Sequence, residues 1–391
     1  MPKFQSRKFA VTLDMAGCPN RCRHCWLGNP PNRRVSEETL RWVTDQFREW
    51  RRPGEAKPFV DSMCVMSWYR EPDYAANYRD LWDLENELSD DDEAARFDLL
   101  SVWRLARDES YAEWARDVGT EACQISFFGL EDTTDYFTRR QGSFHDNLLA
   151  TERLLNVGIR PRWQLFLTER TIPELDQFVA LIDSLELEQR THQLNHEFEV
   201  FVRTPAPDGE AFNIENLRPK ASALKEIPTY LAEKTKEYTG ASTLEECLGM
   251  AEMDLVSELV YEYEPFAVSP DTLAFLVTPE LDVYSNIGEP MPWWRLGNLR
   301  SDDVELIMRR FEYDEVPGLH LNYRVPVALL AHSYGREDSD LLYTRTDLIL
   351  RWMRLWGENT WRRAAQSDST VPRKNQTSTR HIDRRAEFDG L

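Results

Sequence analysis

The chain has 391 residues, enough for two to three domains at about 100 to 200 residues each. Its 47 lysines and arginines against 68 aspartates and glutamates leave a formal charge of −21, a field that repels phosphate backbones and anionic membrane surfaces, so no nucleic-acid partner is expected. No apolar run approaches the roughly 18 to 20 residues of a membrane span, and the basic start Met1-Pro2-Lys3 leads into no apolar signal core, which makes a cytoplasmic protein the expectation.

The first strand is expected over Lys8 to Asp14, where Phe9, Val11 and Leu13 alternate with Lys8, Ala10, Thr12 and Asp14. Directly after it comes Gly17-Cys18-Pro19-Asn20-Arg21-Cys22-Arg23-His24-Cys25-Trp26, which holds three of the six cysteines. Ser36 as N-cap, Glu37 and Glu38 in the first turn, and Leu40, Val43, Phe47 and Trp50 at spacings of three and four predict a helix over Ser36 to Trp50. Phe59 to Trp68 reads as a buried strand, stopped at Pro72, and Arg79 to Glu93 as an acidic helix. Further strands are expected over Phe97 to Trp103, Ala122 to Phe128, Arg162 to Leu167 and Glu197 to Val202. Helices over Tyr111 to Val118, Asn147 to Val157 and Pro173 to Leu187 separate them. Six strands alternating with helices imply parallel β/α units.

Thr204 to Gly209 is a turn-rich break, followed by a mostly helical stretch over Asn216 to Glu264. Thr272 to Thr278 and Val283 to Asn286 then suggest a hairpin, Asp302 to Phe311 a helix, and Leu341 to Trp356 a long helix with Leu342, Thr346, Ile349, Met353 and Trp356 on one face. From Ala365 onward the chain is polar, and a flexible tail over 365–391 is expected.

Cysteine thiolates are soft ligands, and three in one loop with no fourth nearby suit a four-iron cluster with one iron left open. Zinc is the competing reading, with His24 or a distant residue as fourth ligand, and a Cys-x2-Cys pair also suits dithiol chemistry. The spacing of Cys18, Cys22 and Cys25 resembles the CxxxCxxC signature of the radical S-adenosylmethionine superfamily, with His24 where an aromatic residue is usual. That resemblance implies an α/β fold, a partial (β/α)6 TIM-like barrel with a small α+β C-terminal extension. It also implies one 4Fe-4S cluster, S-adenosyl-L-methionine cleaved reductively to a 5′-deoxyadenosyl radical, and an external one-electron reductant such as flavodoxin or ferredoxin.

Within the resemblance, Tyr69-Arg70-Glu71-Pro72-Asp73 takes the place of a Gly-Gly-Glu-like turn, and Glu71 is expected to meet the cofactor amino group. Gln124-Ile125-Ser126-Phe127-Phe128-Gly129 looks like a ribose-binding strand, with Ser126 on the ribose and Arg139 or Arg140 offering a guanidinium fork to the carboxylate. Alternation places Glu197 and Glu199 toward the lumen or in ion pairs with neighbouring strands. Leu276 to Asn286 and Arg295-Leu296-Gly297-Asn298-Leu299 resemble a SPASM or twitch extension without its cluster cysteines, expected to close the barrel mouth with Trp293 and Trp294 toward the pocket.

The expected organisation is a barrel over 1–205, a helical connector over 206–265, the hairpin unit over 266–320, a helical segment over 321–364 and the tail. The expected function is a radical enzyme, of oxidoreductase or of lyase or isomerase type, acting on a polar small molecule such as a sugar, nucleoside or amine. A peptide-modifying enzyme and a non-catalytic iron-sulfur or zinc-binding interaction protein are the alternatives.

Overall fold

The computed structural model describes residues 8–90, 98–267 and 272–367. Its first strand, β1 (Lys8–Leu13), sends Phe9, Val11 and Leu13 into an apolar layer shared with Leu40, Val43 and Phe47 of α1 (Glu37–Arg48). Alternate residues Ala10 and Thr12 line an interior cavity. The Ser36 hydroxyl accepts the Thr39 N–H at 3.3 Å and starts α1.

The chain continues through β2 (Ser62–Met66), α2 (Tyr78–Leu88), α3 (Val102–Leu105), α4 (Glu109–Asp117), β3 (Ala122–Phe127), α5 (Glu131–Thr138), α6 (Ser143–Val157), β4 (Arg160–Phe166), α7 (Leu175–Ser184), α8 (Leu187–Gln193) and β5 (Glu199–Arg203). After a 3-10 segment over Gly209–Leu217 come α9 (Thr229–Thr239), α10 (Leu244–Leu248), β6 (Met250–Ala251) and α11 (Glu252–Leu259). The last part holds β7 (Thr272–Val277), β8 (Asp282–Tyr284), β9 (Arg295–Asn298), α12 (Val304–Glu312), α13 (Pro317–Arg324), α14 (Val327–Tyr334), β10 (Leu342–Tyr343) and α15 (Arg345–Ser367).

Two sheets face each other across the cavity. The first runs β2-β1-β7-β8-β9 and the second β3-β4-β5; β6 and β10 form a small separate pair. All pairings among β2, β1 and β7 and among β3, β4 and β5 are parallel, so both sheets are covered by helices, and their apolar runs are buried on the outer faces. Among the described residues no helix is long and apolar enough to cross a membrane.

Four expectations need correction. Phe97 to Trp103 is no strand: Phe97 lies outside the described residues, Asp98 uses its carbonyl to accept the Gln124 N–H at 2.8 Å, and Ser101 caps α3 through the Arg104 N–H at 3.1 Å. The hairpin is not a separate cap laid over the barrel mouth, although Ile287, just after β8, lines the cavity. Its first strand, β7, pairs in parallel with β1 over six residues and puts Leu273, Phe275 and Val277 in the first sheet's core. The last helix begins at Arg345, because Leu342 and Tyr343 pair with Ala251 and Met250, and it runs on to Ser367. Residues 365–367 of the expected tail thus belong to this helix, and 368–391 lie outside the described residues.

Candidate functional site

The cysteine loop leaves β1 at the carboxyl ends of the parallel strands and is stitched down on several sides. Asn32 brackets Cys18, accepting its N–H at 3.1 Å and donating to its carbonyl at 2.8 Å. Arg23 N–H reaches the Phe137 carbonyl at 2.7 Å, and Glu210 N–H reaches the Cys25 carbonyl at 2.8 Å. Gly209 makes the last contact feasible: at φ +55° a Cβ there would sit 2.3 Å from the Cys25 carbonyl oxygen, so the strap passes only as glycine.

Cys18, Cys22 and Cys25 line one cavity of about 770 Å³ that lies between the two sheets. Burial pushes the Cys18 and Cys22 thiols far above their ordinary range, with the Glu71 charge and the neighbouring thiols adding to the effect, and it raises Cys25 to about 11. A bound cation would reverse this order and release the protons on loading.

Glu71, on the turn after β2, lines the same cavity. Its Oε1 accepts the Ser101 hydroxyl at 2.7 Å and its Oε2 lies 3.9 Å from Cys18 Sγ. Burial lifts its carboxyl to about 7, against the Ser101 hydrogen bond and the Arg140 charge, which hold it down. Arg140 is fixed by Asn20 Oδ1 at 2.7 Å and by the Asp146 carboxylate, and Asn20 N–H donates to Cys18 Sγ at 3.4 Å. Arg70 is spent on Asp14, at 2.7 Å, and on the Pro30 carbonyl.

Ser126 on β3 and its register partner Gln164 on β4 form the opposite wall, with Ser126 Oγ donating to Gln164 Oε1 at 3.4 Å. His24 packs its ring at 4.2 Å from Phe128 and 5.0 Å from Phe166. Burial drives its pKa down to about 3, so the imidazole is neutral, and Nδ1 is buried with no hydrogen-bond partner among the described residues.

These features bear on what the cavity could hold. A single zinc ion needs sulfurs about 2.3 Å from one point, and among the described residues no group of three or more His, Cys, Asp or Glu side chains is arranged to hold a single metal ion. A four-iron cluster spreads its thiolates over separate irons, and the three-thiol donor set in one loop fits that demand. The orphaned His24 Nδ1 and the buried Glu71 carboxyl in the same cavity fit a polar molecule seated beside the thiols.

Of the residues singled out in the sequence, the cavity gathers Cys18, Cys22, Cys25, His24, Glu71, Ser126 and Arg140. It does not gather the others. Arg139, at φ +53°, turns outward to Glu210 at 3.2 Å, which separates it from Arg140. Glu199 is held between Arg160 and Arg162, the ion-pair alternative, and Glu197 is exposed on the far side by His192 and Lys234. Trp293 and Trp294 press on the helix glycines Gly357 and Gly318 and are packing residues away from the cavity. Ser101 and Asn20 went unnoticed, the first because it sits inside an apolar run that reads as a strand. Gln164 was legible as the polar side of an alternating strand.

No family model and no curated protein matches the sequence. Among solved structures the chain is similar to native anSMEcpe with bound AdoMet, at 12% identity and TM-score 0.47, over 92% of this chain and 99% of that one. It is similar to the same protein with AdoMet and the Kp18Cys peptide, at 12% identity and TM-score 0.48, over 92% and 99%. It is also similar to Streptococcus suis SuiB bound to precursor peptide SuiA, at 12% identity and TM-score 0.42, over 88% and 76%.

Proposed function

We propose that this chain is a radical S-adenosylmethionine enzyme of the cytosol, built as a split β/α barrel, that binds one 4Fe-4S cluster through Cys18, Cys22 and Cys25. The observation that carries the reading is the convergence of these thiols, Glu71, Ser126 and Arg140 on one cavity from four separate stretches of sequence. When bound, cluster and cofactor together supply reductive cleavage of the sulfonium to a 5′-deoxyadenosyl radical, which takes a hydrogen atom from the substrate.

The chain's own part is binding, orientation and exclusion of water. Glu71 would hold the cofactor's ammonium in a charge-assisted pair, and Ser101 fixes the carboxylate through Oε1. Arg140, braced by Asn20 and Asp146, would face the cofactor carboxylate. Ser126 would meet the ribose, and the neutral His24 ring, packed at a tilt against Phe128 and Phe166, offers an apolar face with one uncommitted nitrogen. The two sheets that flank the cavity would shield a reactive intermediate from part of the bulk water. The substrate in this reading is a polar small molecule, of a size to share a cavity of about 770 Å³ with the cofactor.

Anaerobic reconstitution tests the reading. About four irons per chain are expected, lost when the three loop cysteines become alanine, together with 5′-deoxyadenosine on reduction in the presence of S-adenosylmethionine. Stoichiometric zinc without iron, or no 5′-deoxyadenosine from a fully loaded cluster, would overturn it.

A further inference from the structure

The cavity extends below the level of the loop, between the strands, and there its walls change character. On the first sheet Ala10 lies in register with Cys64 on one side and Ala274 on the other, a transverse row of short side chains that all line the cavity. Facing it from the second sheet are Gln124 and Gln164, whose side-chain amides bond to each other at 2.8 Å, Nε2 of Gln124 to Oε1 of Gln164. Since Gln164 Oε1 also takes the Ser126 hydroxyl, the Gln164 NH2 and the Gln124 carbonyl are left without a partner among the described residues. Gln164 is 5% exposed and Gln124 is part-buried, and both side chains line the cavity.

From this geometry we infer that the space between the Cys64-Ala10-Ala274 row and the Gln124–Gln164 pair is the substrate compartment, and that it takes an uncharged, hydrogen-bonding molecule. The inference names the substrate class for the function proposed above and rests on that reading for its catalytic meaning. A donor and an acceptor side by side on the cavity wall match a hydroxyl or amide and disfavour an analogue that lacks one, because one of the two would then stay unpaired.

Charge is disfavoured by what surrounds the space. Arg140 is committed to Asp146 and Asn20, Arg70 to Asp14, and Glu71 sits at the cysteine end. Lys8, one row below Ala10, is exposed and lines the far, amino end of the cavity. An ammonium or carboxylate held at the level of the Ala10 row would lose its water with no counter-ion in that row, a large cost. The amine among the expected substrates is therefore disfavoured, and sugar-like or nucleoside-like molecules are favoured.

Cys64 supplies a probe that needs no knowledge of the substrate. The cluster-loaded protein with S-adenosylmethionine is treated with iodoacetamide and, separately, iodoacetate, and labelling at Cys64 and at Cys247 is read by peptide mass spectrometry. Cys247, on α10 outside the cavity, corrects for intrinsic reagent reactivity and for the overall negative field. The amide-to-carboxylate rate ratio is expected to be at least about tenfold higher at Cys64 than at Cys247, and Gln164→Leu should lower it while leaving Cys247 unchanged. Equal ratios, a preference for iodoacetate, or a Cys64 that neither reagent reaches would overturn the inference. A flat ratio in protein that still forms 5′-deoxyadenosine sinks only the substrate class. A preserved ratio in protein that assembles no cluster sinks only the proposed function.

Discussion

At the scale of single residues, the site separates neighbours that the sequence leaves equivalent. Arg139 and Arg140 differ by one position, and the left-handed turn at Arg139 sends its guanidinium to Glu210 while Arg140 enters the cavity. Arg140→Ala is expected to weaken S-adenosylmethionine binding, and Arg139→Ala to leave it unchanged, by equilibrium binding to the reconstituted protein. Glu71→Ala would remove the proposed charge-assisted contact to the cofactor, worth about 1.5 to 3 kcal/mol, and should weaken binding roughly 10- to 100-fold with iron content intact. Ser101→Ala, which frees Glu71 Oε1, should do so by a smaller factor and add nothing in the Glu71→Ala background. Independent, additive losses would show that Ser101 does not act through Glu71.

At the scale of elements, period and capping carried the reading and partner choice did not. The helix expected over Ser36 to Trp50 forms as Glu37–Arg48, because Ser36 has a local, one-turn instruction in its hydroxyl. Phe97 to Trp103 failed because a short apolar run cannot distinguish a strand from a buried turn entering a helix, and Ser101 at its centre is the cap that decides. The hairpin's mates were not legible either, since pairing of β7 with β1 joins residues more than 250 apart in sequence. The signal that existed was the nearly unbroken apolar run Leu273-Ala274-Phe275-Leu276-Val277, which belongs in a central parallel strand rather than a capping hairpin. Phe275 is fully buried against Phe9, Phe47 and Phe311, so Phe275→Ala should cost about 3 to 5 kcal/mol in denaturant unfolding. A loss below about 1 kcal/mol would be the behaviour of a peripheral cap.

At the scale of the whole molecule, the C-terminal helices are tied to the cysteine loop through buried charge. Arg354 on α15 bonds Asp208 and Glu289, the residues beside the Gly209 strap and against Gly28. On the same 3-10 segment, Glu215 meets Arg351, Arg336 and Tyr343. Burial pushes the Glu215 carboxyl up, but hydrogen bonds from Arg351 and Tyr343 and the charges of Arg351 and Arg336 outweigh it and hold it at about 2, below its ordinary 4.5. A folded-state value below the unfolded one means that the stabilisation is complete above about 4.5 and is lost as pH falls through that value toward 2. Wild type should therefore exceed Glu215→Gln in urea stability near neutral pH, and the gap should close as pH falls toward about 2 to 3. A gap independent of pH would contradict the assignment. Such long-range ties, between residues 65 to 146 apart, left no trace in local pattern, whereas the placing of the loop cysteines, Glu71 and Ser126 on one cavity was legible because each lies within a short motif.

The central claim, that one loop of three cysteines and the cavity around it form a radical-generating site, is tested most directly by product analysis of the anaerobically reconstituted and reduced full chain with S-adenosylmethionine. The account predicts 5′-deoxyadenosine from protein carrying about four irons, and none from the variant with Cys18, Cys22 and Cys25 replaced by alanine. Absence of 5′-deoxyadenosine from fully loaded wild-type protein, or its undiminished formation by the triple variant, would contradict it.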